Sequence, residues 1–188
     1  LLEAIYQQAG RIFDTSNFYI ATYEEGSDEW ELALDLERGQ RLSPARHEVS
    51  AGLTGYILRT RQPLLFRFGH EIDGFRQANG IPSIGDPARS WMGVPLVAAG
   101  QLVGAMAIQS YDQENLYDEQ DLRVFSMIAA QAAIAVESAQ LFETLERRVT
   151  EMDTLIEIGR ALSSVRELGE LLEAIYQQAG RIFDTSNF

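Results

Sequence analysis

Leu1, Leu2, Ile5, Ala9, Ile12 and Phe13 fall three or four residues apart, which sets them on one stripe of an amphipathic helix ending near Asp14. The period then drops to two. Phe18 to Glu24 is rich in aromatic and β-branched residues, Gly26-Ser27-Asp28 is a turn signal, and Trp30, Leu32, Leu34 and Leu36 alternate with Glu31, Asp35 and Glu37. This predicts an antiparallel hairpin with one wet face. Gly39 breaks the pattern, and Arg41 to Ser50 holds a third, irregular strand around Pro44. In Gly52 to Thr60 (GLTGYILRT), Leu53, Tyr56 and Ile57 sit at helical spacing behind two glycines, so a short helix with a tight start is expected. Pro63 to Phe66 reads as a brief strand and Glu71 to Asn79 as a short surface helix ending at Gly80. Ile81 to Arg89 (IPSIGDPAR) is a loop dense in Pro and Gly. Ser90 to Ala98 and Leu102 to Tyr111 are the most apolar strands; joined through Ala99-Gly100-Gln101, they are expected at the centre of the sheet.

From Asp118 the period becomes about 3.6, with Leu122, Phe125, Ile128, Ala129, Ala132, Val136 and Leu141 on one stripe. Asp118, with Asp121 three residues on, places an N-cap and a first-turn negative charge where a helix favours both. Beyond Leu141 no breaker intervenes. Phe142, Leu145, Val149, Met152 and Ile156 recur at alternating spacings of three and four, a seam fit for self-association. The alternative is a helix packed on its own domain. Ser164 and Glu167 form a capping box that would restart a helix before Leu171. Helical throughout from Asp118 to Ala161, the segment would be ~65 Å long at 1.5 Å per residue.

Leu1 to Phe18 (LLEAIYQQAGRIFDTSNF) recurs letter for letter as Leu171 to Phe188. The chain is therefore one period of roughly 170 residues plus the opening of the next. The organisation expected is a domain over 1–142, a helical, coiled-coil-like linker over 143–170, and the first helix of a following repeat over 171–188. That last helix lacks the strands that should cover its apolar stripe. It is expected to seek the groove that Leu1 to Phe18 occupies, on a neighbouring chain, or to pair with its own kind.

Composition changes this picture mainly by exclusion. The net charge is −13, with 15 basic residues that are all Arg and scattered, which opposes binding to nucleic acid or an anionic membrane. The absence of Cys rules out disulfides, thiolate metal sites and a cysteine nucleophile. The apolar stretch Ile128 to Val136, interrupted by Gln131, falls short of the ~20 residues that span a bilayer, and no signal peptide is expected. No membrane association and a cytoplasmic location are expected.

Three stretches, GLTGYILRTRQPLLF, IGDPARSWMGVPLVAAGQLVGAMAIQSY and YDEQDLRVFSMIAAQAAIAVESAQLFETL, resemble the GAF domains found in tandem in bacterial sensor kinases and cyclases. The resemblance covers about residues 1 to 142. It implies an α+β fold: an antiparallel sheet of about six strands, N- and C-terminal helices on one face, a long C-terminal linker helix, and a pocket on the other face covered by segments between Pro63 and Arg89. The Asn-Lys-x-Phe-x-Asp-Glu pattern of cyclic-nucleotide-binding members cannot form without Lys. Members that attach a bilin or reduce free methionine sulfoxide need a Cys that is absent here.

The pocket candidates are Phe66, His70, Phe75, Asp86, Arg89 and Trp91. Trp91 can stack on a planar ligand or fill the core. Asp86 and Arg89 can read an anionic or amide ligand or pin the loop. His70 suits an axial haem ligand only in isolation, and Glu71 and Asp73 beside it lack a second ligand cluster. No catalytic residues, no metal and no cofactor are expected. Two functions remain: a non-enzymatic sensory module in a tandem array, relaying a ligand- or partner-induced change through its exit helix, or a structural spacer or filament-forming repeat without a ligand. The partners expected are the chain itself, as homodimer or head-to-tail array, adjacent repeats, and an unidentified small molecule.

Overall fold

A computed structural model of the protein describes residues 2–179. The chain divides into two units, residues 1–140 and 141–188. The first opens with α1 (Leu2–Ala9) and continues through β1 (Phe18–Tyr23), β2 (Glu29–Glu37), β3 (Gln40–Arg41), β4 (Arg46–Glu48) and α2 (Gly52–Thr60). There follow β5 (Leu64–Phe66), α3 (Gly69–Asn79), β6 (Ser90–Ala98), β7 (Gln101–Ser110) and α4 (Glu119–Ala179). The first helix is shorter than its periodicity suggests, because residues 10–13 turn away after Ala9.

The strands form one antiparallel seven-stranded sheet in the order β3-β2-β1-β7-β6-β5, with β4 also paired to β2. β1 and β7 hold the middle and β6 lies beside β7. Strands so placed are covered on both faces, which is why β6 and β7 read as nearly unbroken apolar runs. The β6–β7 turn needs only Ala99 and Gly100, both at positive φ (48° and 85°), the geometry whose twist matches two paired strands.

One face of the sheet carries α1 and the first turns of α4. Phe18, Ile20, Met92, Val94, Met106 and Ile108 point this way and are buried. Phe125 of α4 meets them edge-on, its ring 6.4 Å from Phe18 and 5.7 Å from Phe13. Small residues of α4 (Ala129, Ala132, Ala133) are buried among them, which lets backbone and sheet approach closely. The helix starts where its sequence says: Oδ1 of Asp118 accepts from the backbone N–H of Gln120 (2.7 Å) and Asp121 (3.0 Å), while Asp121 Oδ2 accepts from the Asp118 N–H (2.9 Å). These bonds hold the Asp118 carboxyl below the usual carboxylate range.

Two expectations are corrected here. No helix restarts at Ser164, because α4 runs through that position without a break; its backbone N–H groups there already have helical partners and have no use for a cap. The β1–β2 hairpin has no simple wet face either. Leu32 pairs with Ala21 and Leu34 with Ile20, so Ala33 is an extra residue in β2 and the side chains change sides across it. Leu34 and Leu36 join the helix-side core, whereas Trp30 and Leu32 pack on the opposite face.

By length and composition Glu119–Ile158 is apolar enough to cross a bilayer. Its residues Phe125, Ile128, Ala129, Ala132, Ala133 and Val136, however, are buried on the sheet, while Met127 and Ile134 are exposed. In the second unit Phe142, Leu145, Val149, Met152 and Ile156 are about half exposed or more. Residues 180–188, part of the expected repeat helix, lie outside the described residues.

Candidate functional site

On the face away from α1 and α4, a cavity of about 310 Å³ lies between the sheet, α2, α3 and the loops over 42–45 and 82–88. Its floor begins with Trp91, which is 3% exposed. The indole lies across the neighbouring Gly93: a Cβ there would come within 2.2 Å of Trp91 Cη2 and 2.9 Å of Ile57 Cδ1, so only glycine leaves room. Tyr19 OH is 2.9 Å from Thr54 Oγ1 and also hydrogen-bonds with the Trp91 side chain. Burial, set against those two bonds and reinforced by Asp35, pushes the Tyr19 phenol up to about 12, so it stays neutral.

The bulge at Ala33 decides the polar wall. By shifting the alternation of β2, it turns Asp35 and Glu37 onto the same face as Trp30 and Leu32, and both carboxylates line the cavity. Asp35 sits directly opposite Tyr19 in the β1–β2 register. Burial, then the charge of Glu37, raises the Asp35 pKa above its ordinary value, with His47 acting the other way. The Tyr111 phenol is likewise raised by burial and by Glu37, and it accepts a hydrogen bond of 2.8 Å from Gln109 Nε2. Burial is the first cause of each of these shifts, and the carboxylates Asp35 and Glu37 add to it.

The rim is pinned at several points. Gly52 adopts φ +69°, and a Cβ there would meet Ile84 Cδ1 at 2.9 Å, so the loop can close down on the start of α2 only over a glycine. Arg38 lies over the Tyr111 ring (5.7 Å) and reaches Asp86 at 3.9 Å, both charged groups being well exposed. His47 packs on Trp30 at 4.6 Å between ring centres, and Trp30 Nε1 donates to the Glu48 carbonyl (3.1 Å). Arg76 of α3 also lines the cavity, and among the described residues no carboxylate lies within ion-pair distance of it.

Of the six residues singled out by sequence, Trp91 and Asp86 line the cavity. Phe66 and Phe75 stand behind it in an aromatic file, 5.1 Å apart, with Phe66 6.3 Å from Trp91. Arg89 and His70 are exposed and away from the lining: Arg89 faces Glu114 at 4.0 Å, and His70 stacks on Phe68 at 5.6 Å. Glu71, considered there as a metal ligand, instead accepts from the backbone N–H groups of Arg67 and Phe68 (2.7 and 3.1 Å) and so caps α3. Sequence reasoning missed Tyr19, Asp35, Glu37, Arg76, Gln109 and Tyr111. A bulge leaves no mark in a single sequence, so the two carboxylates read as solvated.

A family model for the GAF domain matches residues 1–137. Several solved structures share the fold. The GAF domain of an Acinetobacter phosphoenolpyruvate-protein phosphotransferase superposes with a TM-score of 0.56 at 16% identity, covering 75% of this chain and 82% of that one. The GAF domain/HD domain protein of Geobacter sulfurreducens gives 0.54 at 15% identity, over 75% and 93%. A type II free methionine-R-sulfoxide reductase of Thermoplasma acidophilum gives 0.52 at 15% identity, over 72% and 89%. No curated protein matches the chain. The six-to-seven-stranded antiparallel sheet and its flanking helices agree with the match in sequence, and the chain belongs to the GAF domain family, whose members are generally sensory or regulatory modules.

Proposed function

We propose that residues 1–142 form a non-catalytic sensory unit, cytoplasmic and one of a tandem series, whose cavity takes up a small organic amine. The observation that carries this reading is the pair Asp35 and Glu37 turned by the Ala33 bulge into a cavity with an indole floor. A protonated amine answers the carboxylates, and an apolar or aromatic body answers Trp30 and Trp91. Catalysis has little to work with, since the chain has no cysteine and the Tyr19 phenol is held neutral between two hydrogen-bonding neighbours.

Relay follows from the two-residue period of the strands. Tyr19 in the cavity adjoins Phe18, which packs on Phe125 of α4; Trp91 adjoins Met92, and Gln109 adjoins Ile108, both in the helix-side core. A ligand that favours one strand arrangement therefore shifts the packing of α4, to the extent that it binds the two arrangements differently. In this reading 143–170 is the linker that passes the change on, through its seam, to a partner chain or an adjacent repeat.

The chain has only two tryptophans, and both line the cavity, so intrinsic fluorescence reports occupancy directly. Titration with benzylamine should give a saturable change, and benzoate, of like shape and opposite charge, should give none. Asp35→Asn should weaken benzylamine roughly tenfold, the loss of one charge-assisted hydrogen bond. Benzoate binding as tightly as benzylamine would remove the amine reading, and indifference to both would favour the ligand-free spacer.

A further inference from the structure

Arg76 has no role in the uptake of a simple amine. Arg38, Arg41, Arg46, Arg61 and Arg89 each face a carboxylate within 4.0 Å, whereas Arg76 lines the cavity half-buried and has no ion-pair partner among the described residues. Its helix explains where it stands. Ile72, one turn earlier on the same face of α3, is 5% exposed and shares a buried cluster with Trp91, and the Phe75 ring packs 5.1 Å from Phe66 of β5. α3 is thus held over the β5 and β6 side of the sheet. The carboxylates come from the other side. Asp35 of β2 lies in one register row with Tyr19, Ala107, Gly93 and Leu64, so β1, β7 and β6 separate β2 from β5, about 19 Å at ~4.8 Å per strand. Cation and carboxylates therefore reach one cavity from elements on opposite sides of the sheet, with the Trp91 indole on its floor.

A half-buried guanidinium is answered by a carboxylate, which accepts two parallel hydrogen bonds from it. A free anion does not meet that need, because Asp35, Glu37 and Asp86 line the same cavity and repel it. An anion that arrives on the same molecule as an amine is held at both ends. We propose that the occupant is a zwitterion, an amine joined through a short apolar body to a carboxylate that Arg76 receives; this rests on the amine reading of the same cavity. The class is that of ω-amino acids, whose charges lie apart, and not that of α-amino acids, which carry both on one carbon.

The test uses the full chain and three probes, followed by tryptophan fluorescence and checked by calorimetry: benzylamine, phenylalanine, and 4-(aminomethyl)benzoate, which is benzylamine with a carboxylate at the far end of the ring. 4-(Aminomethyl)benzoate should bind about tenfold tighter than benzylamine, the worth of one charge-assisted pair, and phenylalanine should show no such gain. Arg76→Gln should melt like wild type, bind benzylamine no more weakly, and lose the gain. Arg76→Lys, which keeps the charge without the fork, should retain part of it. No gain in the wild-type chain, a gain that survives Arg76→Gln, or phenylalanine binding as tightly as 4-(aminomethyl)benzoate would each overturn the proposal, while benzylamine binding in the same titration leaves the amine reading standing. Failure of every probe to bind would remove both.

Discussion

The two faces of the sheet are made from the same strands and serve opposite ends. On the helix side Phe18, Met92, Met106, Ile108 and Phe125 are fully buried and fill their space with apolar atoms. On the other side Tyr19, Asp35, Glu37 and Gln109 share a cavity with the two tryptophans. The contrast separates the source of stability from the proposed source of recognition. A face packed to interior density gains from every methylene it buries; a face that keeps a cavity and half-buried carboxylates gives up part of that gain for a place to bind.

Breaking the packed face should have the largest effect. Phe125→Ala removes the ring between Phe13 and Phe18 and should cost about 3–5 kcal/mol in urea denaturation; a loss below about 1 kcal/mol would show that stability resides elsewhere. Gly52→Ala acts on the cavity side. It forces a side chain into a left-handed backbone and against Ile84, and should cost about 1–2 kcal/mol while displacing the loop and weakening benzylamine in the fluorescence titration. Tyr117→Phe, back on the helix side, deletes the only buried side-chain polar atom without a hydrogen-bond partner among the described residues. It should leave stability unchanged or raise it by up to about 1 kcal/mol, and a marked drop would reveal a partner for that hydroxyl.

Asp35→Asn should give the smallest change and the sharpest test of the contrast. Because burial raises its folded pKa above the ordinary 3.8, the stability its protonated form allows is fully present below that value and is lost as pH rises through the folded pKa. The Asn variant should therefore be slightly more stable than wild type at pH 7, and the gap should close in melts below about pH 4. The same variant should bind benzylamine more weakly. Gains in stability and losses in affinity from one substitution would mark the face as built for recognition; a loss of both would return Asp35 to the scaffold.

Local chemistry alone placed the elements. The change from period two to period 3.6 near Asp118, the Asp118–Asp121 cap, the GLTGYILRT helix and the apolar strands over 90–111 each stand where a single sequence puts them, because periodicity and capping depend on neighbours a few residues away. Of the residues that line the cavity, the sequence singled out only Trp91 and Asp86. Asp35 and Glu37 look solvated in the sequence, since the residue that redirects them, Ala33, is extra only by reference to Ile20 and Ala21 on another strand. The sequence by itself determined which segments are helix or strand and that one helix occurs twice. Tertiary structure decided which face each β2 side chain meets. Register and burial are properties of pairs of segments, and no segment carries its partner's position within itself.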